Sequence, residues 1–162
     1  MKEEYKRVIK KELEEKKGNI DEFRDSIKEL YIDMFLKSKR SGESIESFIY
    51  DFLDSLYIVL KEANIEPQEI IRELFIEFGE IFLDFSKRDL EDELHNIWLA
   101  KSRLKNLIDS QKIDFKLLIN SISAFIEDRE LKGVKRDFYL QKNILFKKLN
   151  RLLKGFIYNS RR

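Results

Sequence analysis

Cysteine is absent from this chain, proline and histidine each occur once, and only five of its 162 residues are glycine. Each shortage removes something. Without cysteine there is no disulfide, no thiolate nucleophile and no cysteine-type zinc site, and the chain suits a reducing compartment. So little glycine and proline is far from the composition of loop-rich β-proteins. No unbroken aliphatic or aromatic run exceeds that of Leu56 to Leu60, so no segment is long enough to cross a bilayer. The opening MKEEYKRVIKKELEEKK lacks the apolar stretch of a secretory signal, and the expectation is a soluble, cytoplasmic protein.

What is present is mass for a core and a great deal of charge. Hydrophobic residues make up 43% of the chain and include thirteen Phe, enough to offset the entropy of ordering one domain. Lys, Glu, Leu and Ile dominate the rest, as they do in helical proteins. The predicted fold is therefore all-α: one domain over residues 1–162, a compact antiparallel bundle of six or seven helices or two stacked helical layers.

The few breakers set the expected boundaries. A polar first helix, Lys2 to Lys17, with only Tyr5, Val8, Ile9 and Leu13 as its stripe, reads as a peripheral, loosely packed element. A second runs from Asp21 to Lys39. Ser44 is expected to cap the third, Ile45 to Ala63, with Asn64 at its C-terminal end. Pro67 opens the fourth, where its missing N–H costs nothing, and that helix is expected to end at Phe85. A break at Ser86 to Arg88 precedes a fifth, Asp89 to Ser110. The sixth covers Asp114 to Glu130, and Gly133 separates it from a seventh, Val134 to Phe156, with residues 157–162 as a loose tail.

The formal charge of +1 conceals two opposite blocks. From Ser44 to Ala100 there are fourteen acids against four Lys or Arg, and from Lys101 to Arg162 six acids against sixteen. On a wheel of about 100° per residue, Glu66, Glu69, Glu73, Glu77, Glu80 and Asp84 of the fourth helix fall on one ridge. Like charges at i,i+4 destabilise a helix by about 0.2–0.5 kcal/mol per pair, so compensation from elsewhere is expected. Ile76 and Leu83 lie on a third face, one heptad apart, as a candidate apolar interface. Arg136, Lys147, Lys148, Arg151 and Lys154 of the last helix form a complementary basic face.

Three readings of these stripes follow. They pair within the fold or are simply solvated; they meet another protein chain, including a second copy in a homo-oligomer; or the basic helix contacts nucleic-acid phosphates or an anionic membrane surface. Tyr139, Phe146, Phe156 and Tyr158 interleave with the cations, an arrangement open to base stacking although aromatics at helical spacing are more often core, whereas the acidic ridge opposes nucleic acid.

Catalytic signals are sparse. His95 follows Glu91 and Asp92 on one helix, an arrangement open to phosphotransfer. It is similar to a kinase H-box in its preceding acids but lacks the following acid and proline. The plainer reading is an ordinary surface histidine. Asp92-x-x-His95 is at most one imperfect copy of the dimetal motif of four-helix bundles. There is no phosphate-binding glycine loop and no Gly-x-Ser-x-Gly elbow. The expectation is a non-enzymatic helical interaction or regulatory module, possessing no catalytic residues, cofactor, metal or small-molecule ligand, with a nucleic-acid-binding subunit as the first alternative and phosphotransfer through His95 as the second.

Overall fold

A computed structural model describes residues 2–95 and 101–160. It is all-α, with six helices among the described residues: α1 (Lys2–Glu15), α2 (Ile20–Ser41), α3 (Ile45–Glu62), α4 (Pro67–His95), α5 (Lys101–Asp128) and α6 (Lys132–Ser160).

Local chemistry accounts for most boundaries. The Asn19 side chain accepts from the Glu22 amide and Ser44 Oγ from the Ser47 amide, each capping the helix it precedes. Pro67 occupies the first position of α4. Gly42 ends α2 with φ +77°, a conformation that costs glycine little. Asn64 does the same after α3 with φ +57° while the Ile65 amide reaches back to the Leu60 carbonyl.

Three expected boundaries move. Ser86 to Arg88 does not interrupt a helix, because α4 continues to His95. Buried Ser86 donates to Gln111 Oε1 at 2.8 Å, and Gln111 Nε2 donates to Asp89 at 3.3 Å. Satisfying those polar groups across the α4–α5 contact lets the helix run through them. Residues 89–95 of the expected fifth helix belong to α4 and residues 101–110 to α5. Residues 96–100, including Ile97 and Trp98 of that expected helix, lie outside the described residues. Asp114 opens no new helix but sits mid-way along α5. Gly133 is inside α6, and the turn before it is made by Glu130 at φ +51°.

The helices form three antiparallel hairpins side by side, α1/α2, α3/α4 and α5/α6, with odd helices in one layer and even helices in the other. Within each layer neighbours run parallel. In the even layer, Arg24 meets Glu73, Lys28 meets Glu77 and Phe35 stacks on Phe85; further along, Arg72 meets Asp137 and Phe75 meets Phe138. In the odd layer Tyr50 reaches Asp128 and Asp54 reaches Arg129. This is the two-layer option, and each hairpin leans chiefly on its neighbour.

Between the layers lies a nearly continuous aromatic core. Tyr31 stacks on Phe78 with centroids 3.9 Å apart and meets Phe52 edge-on at 5.5 Å. Phe115 lies 5.5 Å from Phe82 and 5.0 Å from Phe146, extending the core to the third hairpin. Each such ring contributes about 1.5–3 kcal/mol by burial.

The first helix is not the peripheral element its polarity implied. Tyr5, Ile9 and Leu13 are buried, Tyr5 lies edge-on to Phe48 at 5.6 Å, and its hydroxyl donates to Glu43 at 2.8 Å. A three-residue stripe is enough because it meets the most aromatic part of α3. Nor is the segment from 157 a loose tail: α6 continues to Ser160, while Arg161 and Arg162 lie outside the described residues.

Candidate interaction surfaces

The acidic ridge sits on the side of α4 opposite its buried face. Because α2 runs parallel to α4, cations one turn apart on α2 match acids one turn apart on α4. Arg24 reaches Glu73 at 3.1 Å and Glu69 at 3.7 Å, and Lys28 reaches Glu77 at 3.4 Å. From the other flank Lys148 of α6 pairs with Glu80. Four of the six ridge acids are thus neutralised inside the fold, chiefly by α2 rather than by the basic helix. Glu66 lies just before Pro67 opens α4 and so is not on the helix as expected; it and Asp84 are exposed and have no ion pair among the described residues. Arg72, off the ridge, binds Asp137 at 2.9 Å and donates to the Gly133 carbonyl at 3.1 Å.

Ile76 and Leu83 do not form an exposed interface. Leu83 is only 8% exposed and Ile76 is half-buried against the core. A helix flanked on both sides within its layer buries more of its circumference than one stripe.

The basic face of α6 behaves differently from the ridge. Only Lys148 turns toward α4; Arg136, Lys147, Arg151 and Lys154 are exposed and have no ion pair among the described residues. Their arc also carries Leu140 and Ile144, 61% and 40% exposed. On the wheel, 136, 140, 144, 147, 151 and 154 fall within roughly 80° of one another, diametrically opposite buried Phe138, Leu145, Leu149 and Phe156. Charge patterning alone singles out the cations and passes over the two aliphatics, although their i,i+4 spacing in the same arc is visible in the sequence. Of the four interleaved aromatics, Phe156 is buried and Phe146 is half-buried against Phe115; Tyr139 and Tyr158 remain exposed.

His95 is exposed at the last described position of α4. Of the nearby acids, Glu91 pairs with Lys87 at 3.9 Å and Glu93 with Arg103 at 3.3 Å. Among the described residues no group of three or more His, Asp or Glu is placed to hold a metal ion, and no helix is long and apolar enough to cross a membrane.

One buried polar site has no counterpart in the sequence reading. Asp54, on the buried side of α3, pairs with both Arg129 and Lys2. The Arg129 guanidinium lies 4.9 Å from the Tyr57 ring centroid, and Tyr50 Oη donates to Asp128 at 2.5 Å. Ser55 Oγ donates to the Asp51 carbonyl at 2.6 Å. Together these groups fasten α1 and the α5–α6 turn to α3. An acid inside an apolar stripe, as in Leu53-Asp54-Ser55-Leu56, was the available signal, because a carboxylate there needs a cationic partner.

Comparison with protein-family models, with curated proteins and with solved structures found no match to this chain.

Proposed function

We propose that this protein is a helical protein–protein interaction module without enzymatic chemistry of its own, and that it engages its partner through the outward stripe of α6. One observation carries the reading: the acidic ridge is largely consumed by Arg24, Lys28 and Lys148, whereas the cations of α6 are left over beside two exposed aliphatics. Unpaired charge of one sign steers association, and adjoining apolar side chains supply contact area once a partner has docked. The fitting partner is an acidic amphipathic helix. Leu140 and Ile144 favour this over nucleic acid, since aliphatic groups add nothing to phosphate recognition.

A designed acidic amphipathic peptide labelled with a fluorophore tests the reading by anisotropy. Binding is expected at low ionic strength, weakened by salt and by Leu140→Ser, and lost when Lys147, Arg151 and Lys154 are all changed to Gln. No binding at low salt, or binding indifferent to these changes, would overturn it. Preference for an oligonucleotide probe over the peptide would transfer the stripe to the nucleic-acid reading.

A further inference from the structure

A second stripe, on α2, complements the one on α6. Glu22, Asp25, Glu29 and Asp33 are all exposed, and none has an ion pair among the described residues. They are followed in the same arc by Leu36, 36% exposed. At about 100° per residue these five positions fall within roughly 80° of one another. They lie opposite buried Phe23, Ile27, Tyr31 and Met34, so this is the outward side of α2. Four acids followed by an aliphatic on α2 mirror the stretch of α6 after Arg136, two aliphatics followed by three cations.

Order decides how such stripes fit. Laid antiparallel, Asp33 falls opposite Lys147, Glu29 opposite Arg151, Asp25 opposite Lys154 and Leu36 opposite Ile144. Laid parallel, Asp25 and Glu29 can still face Lys147 and Arg151, but Ile144 then falls opposite Glu22 and Leu36 opposite Tyr158, so only the antiparallel order sets aliphatic against aliphatic. Both matched stretches, 22–36 and 144–158, span about 21 Å at 1.5 Å per residue. The two stripes cannot meet within one molecule, because α4 lies between α2 and α6 and all three run in the same direction. A second copy turned end over end presents its α2 to α6 in the matching sense.

Resting on the proposed use of α6 as a docking stripe, we infer that its partner is a second copy of this chain, whose α2 packs antiparallel on α6. The contact is heterologous: one copy contributes acids and the other cations. One helix against one helix is a small interface held mainly by charge, so the association is reversible and salt-sensitive.

Sedimentation equilibrium of the full chain tests this with two charge reversals, Glu29→Lys/Asp33→Lys on α2 and Lys147→Glu/Arg151→Glu on α6. The parent's average mass is expected to rise with concentration at low ionic strength and fall to the monomer value at high. Each reversal alone is expected to stay monomeric, an equimolar mixture of the two to associate as the parent does, and the fourfold variant to regain self-association. Circular dichroism melts of all variants guard against unfolding. A parent that stays monomeric at low ionic strength, reversals that associate like the parent, or a mixture that remains monomeric while the parent associates would each overturn the inference. The acidic-peptide assay separates the two proposals: a monomeric parent that binds the peptide retains α6 as a docking stripe and loses only the second copy as its occupant.

Discussion

Gly79 lies in the middle of α4, where helix propensity alone makes it a defect. Replacing an interior helical glycine by alanine contributes about 0.8–1 kcal/mol. Here a Cβ would stand 3.1 Å from Leu145 Cγ, 2.8 Å from Cδ2 and closer still to Cδ1, against a carbon–carbon optimum of about 3.5–4.0 Å. Leu145 is buried and has little room to rotate away, and overpacking of this kind costs about 1–3 kcal/mol. Gly79→Ala is therefore expected to destabilise by up to about 2 kcal/mol, reversing the sign that propensity predicts. The cause is separable by a double-mutant cycle. Leu145→Ala alone leaves a cavity and costs about 2–5 kcal/mol, but in that background the methyl added by Gly79→Ala enters vacated space and its propensity gain returns. Urea unfolding of the parent, both single variants and the double variant would give a favourable coupling of about 1–3 kcal/mol. Gly79→Ala stabilising by the full propensity increment, with no coupling to Leu145, would refute close α4–α6 approach as the reason for the glycine.

Three further outcomes follow from buried polar groups. Asp54→Ala strips Arg129 and Lys2 of their shared partner and is expected to cost about 2–4 kcal/mol in urea unfolding. Burial raises the Asp114 carboxyl, with nearby Lys39 opposing; a native pKa above the unfolded value means that its contribution is largest at acid pH and falls as pH rises through the native pKa. Asp114→Asn should accordingly raise Tm at neutral pH and change it least near about pH 3, where the carboxyl is protonated in both states, as calorimetry would show. Burial raises Tyr31, and burial together with Glu43 raises Tyr5. Their contribution is complete below the unfolded value of about 10 and is lost above it, so alkaline unfolding monitored by circular dichroism should move to higher pH in Tyr5→Phe.

What was legible in the sequence depended on whether the determining groups were local. Ser44, Pro67 and Asn64 act within a few residues of themselves, and the ends they set are readable. Ser86 and Asp114 resemble boundary residues, yet the first lies inside a helix because Gln111 meets it from the next one, which no local window contains. The acidic ridge was recognisable as a ridge, but its neutralisation by Arg24 and Lys28 required knowing that α2 runs parallel to α4. The acids of α2 are masked for another reason: residues 1–43 hold twelve bases and eleven acids, and a near-zero sum hides the segregation of Glu22, Asp25, Glu29 and Asp33 onto one face.

Stacked hairpins that lean only on their neighbours tend to open from the ends, each outer unit exchanging its amide protons ahead of the middle one. Asp54 works against that tendency, since a single carboxylate in the central hairpin holds Lys2 of the first and Arg129 of the third. Neither outer hairpin can detach without stripping a buried charge of part of its compensation. The molecule should consequently unfold as one cooperative unit, and hydrogen exchange in α1 and at the start of α6 should approach the slow rate of α3.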